Sequence, residues 1–220
     1  MTDRDDDQSR WRLPSRREVL AGLVAAPIAL ARPDKTVKAK FEEIGETVRM
    51  TLALPGLISA RDTDALKSID SGFDTTLRYS LQLLEYGTRR LISSRVVVVK
   101  VRRDPWKKRY VVSRRSGGGG WSKRFFPKRA DAVAAATTLQ RQVVGPVSLL
   151  ERTGDGPYYF VEVLALRNPI EAEIEDSHTR GRGGGRDLEF FSRLIDSMVG
   201  ERARAEAKIH VRTNPFYLLP

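Results

Sequence analysis

The hydrophobic pattern of this chain alternates more often than it repeats at helical spacing. Residues 75–86 (TTLRYSLQLLEY) set Leu77, Tyr79, Leu81 and Leu83 against Arg78, Ser80 and Gln82, the period of two that a half-buried strand imposes. Residues 47–54 (TVRMTLAL) alternate in the same way, and residues 94–103 (SRVVVVKVRR) add β-branched content that predicts a strand on propensity as well. Asp104-Pro105-Trp106-Lys107 then turns the chain, so that residues 108–114 (KRYVVSR) become the returning strand of a hairpin. Another short strand is predicted over 121–126, a second hairpin from 147–152 and 158–167 around Gly154-Asp155-Gly156, and a closing strand over 205–212. The tail from Asn214 onward is apolar and predicted to pack down.

Helical signals are few. Residues 62–69 fit a short helix that Asp62 or Thr63 caps. Pro127 opens the main helix, predicted over 128–142, with Asp131 in its first turn and a narrow apolar stripe of Ala132, Ala135, Ala136 and Leu139. Residues 188–198 gather Leu188, Phe191, Leu194, Ile195 and Met198 on one helical face. The sum is a mainly β (α+β) fold: an antiparallel sheet or β-sandwich with one inserted helix and a C-terminal helix. A parallel βαβ array would need a helix between every pair of strands. The expected organisation is a leader over 1–31, a linker over 32–46 and one β-rich domain over 47–220, with flexible loops at 116–120 and 176–187.

The leader is read from its own pattern. Ser15-Arg16-Arg17-Glu18 precedes an uncharged apolar run of 13 residues from Val19 to Ala31. As a helix that run spans about 20 Å, short of a ~30 Å hydrocarbon core. It has no polar face at helical spacing, as a helix packed on a domain would. It ends in Ala29-Leu30-Ala31, the small-x-small shape that a signal peptidase accepts. The segment resembles a twin-arginine export leader with Arg16 and Arg17 as the arginine pair, although Val19 stands where that pattern has an aromatic residue and Ala21 where it has Lys. The resemblance implies a periplasmic protein cleaved after Ala31.

Composition then narrows the chemistry. The 220 residues include no cysteine, which excludes disulfide frameworks, zinc ribbons, iron–sulfur clusters and cysteine nucleophiles. No run of eighteen apolar residues exists, so no transmembrane span is expected. The net charge is +11, and it is concentrated: positions 78–129 hold 16 basic residues against Glu85 and Asp104 alone, while the rest of the chain is slightly acidic. The expected contact set is Arg95, Lys100, Arg102, Arg103, Trp106, Lys107, Lys108, Arg109, Tyr110, Arg114, Trp121, Lys123 and Arg124, where cations interleaved with aromatics suit an anionic polymer. The alternative role of such charge is solubility and protection of strand edges.

Catalytic motifs are missing. Glu171, Glu173 and Glu175 alternate ahead of Asp176 and His178, yet without a calcium-loop glycine or a paired histidine they fit a solvated acidic linker. His210, on the closing strand, fits a packed or hydrogen-bonded histidine. Neither Gly-x-Ser-x-Gly nor a phosphate loop is present. No enzymatic activity, metal or cofactor is expected.

The order of the middle segments adds one resemblance. A long alternating strand (TTLRYSLQLLEY), an Arg/Val strand (RVVVVKVRRD), a Trp-containing turn with its strand (WKKRYVVSRR) and a short strand entering a helix (WSKRFFPKRADAVAAATTLQ) follow one another. Over roughly residues 48–166 this is similar to the bacterial exported family catalogued as domain of unknown function 4390. The resemblance implies a β-rich envelope protein and transfers no active site. The expectation is a non-enzymatic, exported binding or assembly module at the cell envelope, with an anionic envelope polymer, a lipid surface or another envelope protein as partner. The alternative is a cytoplasmic nucleic-acid-binding protein that keeps residues 1–31 and uses the same patch.

Overall fold

The structure is a computed structural model and describes residues 35–152, 157–169 and 205–219. Its spine is strand β4 (Thr75–Glu85), where Leu77, Tyr79, Leu81 and Leu83 are fully shielded from solvent on one face. β5 (Leu91–Asp104) pairs antiparallel with β4 on one side and β9 (Tyr159–Arg167) on the other. The sheet grows outward from these through β6 (Arg109–Ser116) and β7 (Ser122–Phe126) beyond β5, and through β10 (Ala207–Thr213) and β1 (Lys35–Val37) beyond β9. Every neighbour is antiparallel except β1, which runs parallel to β10.

A second sheet of β2 (Lys40–Ile44), β3 (Thr47–Ala53) and β8 (Thr138–Pro146) lies against the inner face of the first. Val48, Met50, Leu52, Leu139 and Val144 from the small sheet share one core with Leu77, Tyr79, Val97, Val99, Val161 and Val163 from the large one. Helices α1 (Thr63–Asp70) and α2 (Arg129–Thr137) complete that layer through Ala65, Ile69, Ala132 and Ala136. Burying each large aliphatic side chain contributes about 1.5–3 kcal/mol. The chain is therefore a mainly β, α+β fold with mixed and antiparallel sheets.

Several expectations hold at residue level. Asp62 caps α1 by accepting a hydrogen bond from the Ala65 amide at 3.2 Å, and the tail packs Phe216 and Leu218 into the core. Three expectations need correction. Residues 32–46, read as a linker, contribute β1 and β2; their Lys and Glu content hid two short strands, one of them closed onto β3 by a two-residue turn with Gly45 at φ +58°. The main helix ends at Thr137 rather than 142, because Leu139 and Gln142 are drawn into register with Leu52 and Met50 of β3. The β-branched pair Thr137-Thr138 favours the switch from helix to strand there. The second hairpin does not form: Val147–Leu149 is a single 3₁₀ turn, and β9 takes its partners from β4 and β10. The leader, the acidic run, the loop at 176–187 and the helix expected over 188–198 lie outside the described residues.

The two sheets meet closely at Gly145. A β-carbon there would lie 2.7 Å from Leu83 Cδ2 and 2.8 Å from Ser93 Oγ. Leu83 is fully buried, and the Ser93 hydroxyl donates to the Val144 carbonyl, so neither neighbour moves freely. Gly145→Ala is expected to destabilise the domain by about 1–3 kcal/mol through overpacking. A shift of the denaturation midpoint at unchanged slope would register it.

Candidate functional site

The β5–β6 hairpin and β7 carry the basic segment, and strand register decides which charges share a face. Lys100, Ser113 and Lys123 form one cross-strand row, and Arg102, Val111 and Phe125 the next. With Arg115 opposite Val98 and Arg109 opposite Asp104, these rows occupy the outer face, away from the core. Strand β7 and the residue before it present Trp121, Lys123 and Phe125 at successive alternate positions, at the edge of the sheet.

On this face cations lie over exposed rings. Trp121 is 40% exposed, with Lys100 Nζ at 5.6 Å and the Arg115 guanidinium at 5.1 Å from its ring centre. Phe125 is 49% exposed and carries the Arg109 guanidinium at 3.8 Å. Such pairs contribute about 0.5–1 kcal/mol each at exposed sites. Asp74 offsets part of the charge, 3.7 Å from Lys100 Nζ and 3.5 Å from Arg102 Nε. At the tip, the Lys107 amide donates to Asp104 Oδ1 at 3.2 Å, and Lys108 turns the chain at φ +46°. Trp106 stands clear of the rest at 93% exposure.

The other members of the expected set face inward. Arg95 lies opposite Leu81, and Arg103 opposite Tyr110, on the core side. The Tyr110 hydroxyl donates to Asp70 Oδ1 at 2.8 Å; burial and then this bond push the phenol above its ordinary pKa. Arg124 lies 5.3 Å over Phe126. Arg114 donates through Nη2 to the Thr138 carbonyl at 2.6 Å and the Ala135 carbonyl at 3.2 Å. Burial pulls its guanidinium below the usual arginine pKa, with Tyr79 and Arg124 beside it. The outer face thus brings together Lys100, Arg102, Arg109, Trp121 and Lys123 with the tip residues Trp106, Lys107 and Lys108. Arg95, Arg103, Tyr110, Arg114 and Arg124 stand on the opposite side of the strands.

Arg115 and Phe125 join the outer cluster without having been expected there. The signal for Phe125 was its spacing from Trp121 and Lys123. Arg115 was hidden in an Arg-Arg pair whose members point to opposite faces. Farther along the outer face, Glu162 is 2% exposed and accepts from Arg89 Nη2 at 2.7 Å, with His210 Nε2 4.0 Å from its other oxygen. His210 is itself buried, as a packed histidine. Among the described residues no group of three or more histidines and carboxylates is arranged to hold a metal ion, and no helix is long and apolar enough to cross a membrane. No family model, curated protein or solved structure matches this chain.

Proposed function

We propose that this protein is an exported, non-enzymatic binding or assembly module of the cell envelope that holds an anionic partner on the outer face of β5, β6 and β7. The observation that carries the reading is the row of Trp121, Lys123 and Phe125 at the sheet edge, with Lys100, Arg115 and Arg109 laid over or beside the rings. Charge that served only to keep an edge soluble would not require exposed aromatic rings among the cations. An anionic polymer finds both parts of its chemistry there, cations for its charges and rings for its flat or apolar groups. The leader-like pattern of Arg16, Arg17, Ala29 and Ala31 supports export, and the resemblance to the exported family supports the envelope.

The test is binding of the full chain to dextran sulfate as a defined polyanion. If about four charges engage, affinity falls roughly 100-fold between ~50 and ~200 mM salt. The variant Lys100→Gln/Arg115→Gln/Lys123→Gln loses most of that binding and most of the salt slope. A variant that binds like the parent overturns the surface assignment. Intact mass and cell fractionation test the address. A periplasmic species beginning at Arg32 is expected, whereas a cytoplasmic species retaining residues 1–31 overturns export and makes nucleic acid the polyanion to test.

A further inference from the structure

The end of the large sheet where β4 begins and β5 turns into β6 differs from the rest of the surface. Trp106 projects from the hairpin tip at 93% exposure, and Phe73, just before β4, is 69% exposed. The two belong to one end of the molecule: a side chain at Gly72 would come within 3.4 Å of the Arg103 carbonyl. Asp74, the residue after Phe73, faces Lys100 and Arg102. Lys107 and Lys108 are exposed in the same turn as Trp106, and Arg102 reaches Asp74 beside Phe73. The nearby carboxylates are already engaged: Asp70 with Arg129 at 2.5 Å and with Tyr110, Asp74 with Lys100 and Arg102, and Asp104 with the Lys107 amide.

We infer that this end docks the protein onto an anionic lipid bilayer, with Trp106 and Phe73 at headgroup depth and Lys107 and Lys108 on lipid phosphates. The inference rests on the proposal that this hairpin region takes an anionic partner, and it names a partner for the tip in particular. The shape favours a planar surface over a threaded polymer. The turn of residues 105–108 lies beyond the last paired residues of β5 and β6 and is exposed throughout, so Trp106, Lys107 and Lys108 can reach a flat surface together. An amphipathic indole gains most at the boundary between headgroups and acyl chains. Each lysine close to an anionic leaflet adds attraction on the same side, and the partly neutralised base of the hairpin is left outside the interface.

The experiment uses the full chain and sedimentation with vesicles of phosphatidylcholine containing about one-third phosphatidylglycerol, with pure phosphatidylcholine as control. Binding to the anionic vesicles only is expected. Lys107→Gln/Lys108→Asn lowers partitioning roughly 30-fold, since each cation near the leaflet is worth about a factor of five; Asn tolerates the left-handed backbone at position 108. Brominated lipid quenches tryptophan emission in the parent, and Trp106→Phe removes most of that quenching. These side chains are exposed, and thermal unfolding of the variants checks that the fold is kept. A chain that binds dextran sulfate but ignores the vesicles overturns the lipid assignment and leaves the polyanion reading standing. Binding to neither overturns both. Vesicle binding that is indifferent to positions 106, 107 and 108 overturns docking by this end.

Discussion

Replacing Arg167 by Met is expected to lower the stability of the domain by about 2–3 kcal/mol, a large part of the 5–15 kcal/mol typical of such a fold. Arg167 is buried at the end of β9 and ties three segments that are distant in sequence. Its Nη1 donates to the Leu57 carbonyl at 3.1 Å and to the carboxylate of Asp62, and its Nε lies 3.2 Å from Glu206. Asp62 is the residue that caps α1. Methionine keeps an unbranched side chain there but leaves a carbonyl and two carboxylates without the cation they face, so the loss is chiefly electrostatic. Acid sensitivity should change with it. The Arg167 hydrogen bond holds Asp62 below the usual carboxylate pKa. The stabilisation from this pair is therefore complete above the unfolded value near ~3.9 and is lost as pH falls through the lower folded value. Denaturant midpoints at neutral pH and near pH ~3 measure both effects: the parent loses stability on acidification, and Arg167→Met loses less because that contribution is already gone. A midpoint within about 1 kcal/mol of the parent at neutral pH would show that the three segments are held by other contacts.

Arg114→Met provides the second large effect, about 2–3 kcal/mol, with polyanion binding left as in the parent. The backbone explains the size. Helix α2 runs into β8 with no intervening loop, so the carbonyls of its last turn have no helical partner. Arg114 reaches across from β6 and donates to two carbonyls at this junction, Ala135 and Thr138, placing a cation at the negative end of the helix. The Tyr79 hydroxyl satisfies the neighbouring Ala136 carbonyl at 2.8 Å. Without the guanidinium, two carbonyls in a half-buried setting lose their donor. Paired measurements of unfolding and of dextran sulfate affinity separate the roles. Weakened binding with unchanged stability would return Arg114 to the contact surface.

The sequence made the strands around the hairpin legible because their signals are local. Alternation in β4, β-branched content in β5 and Asp104-Pro105 at the turn each lie within a dozen residues. What escaped reading depends on distant partners. β8 continues an alanine-rich helix with no glycine or proline between them, and only its register with β3 makes residues 138–146 extended. β1 and β2 are short and charged, and become strands because edges of other strands are open to them. The same limit applies to the surface. The count of cations was visible in the sequence, and so was the shared face of Lys100 and Arg102. Which neighbours of Val112 turn toward the helices was not, so Arg114, bonded to α2, and Tyr110, bonded to α1, looked like their outward-facing companions.

The position of β10 sets an order of events for the newborn chain. This strand, formed by residues 207–213, is laid between β1 at residues 35–37 and β9 at 159–167. Until it has left the ribosome, β9 has one flank open, β1 has no partner in the sheet, and the Thr213 hydroxyl that meets the Val161 amide at 2.9 Å is missing. Closing contacts so far apart along the chain is slow. The large sheet therefore reaches its finished form only after residues 207–213 have been made, although β4, β5 and β6 can pair long before.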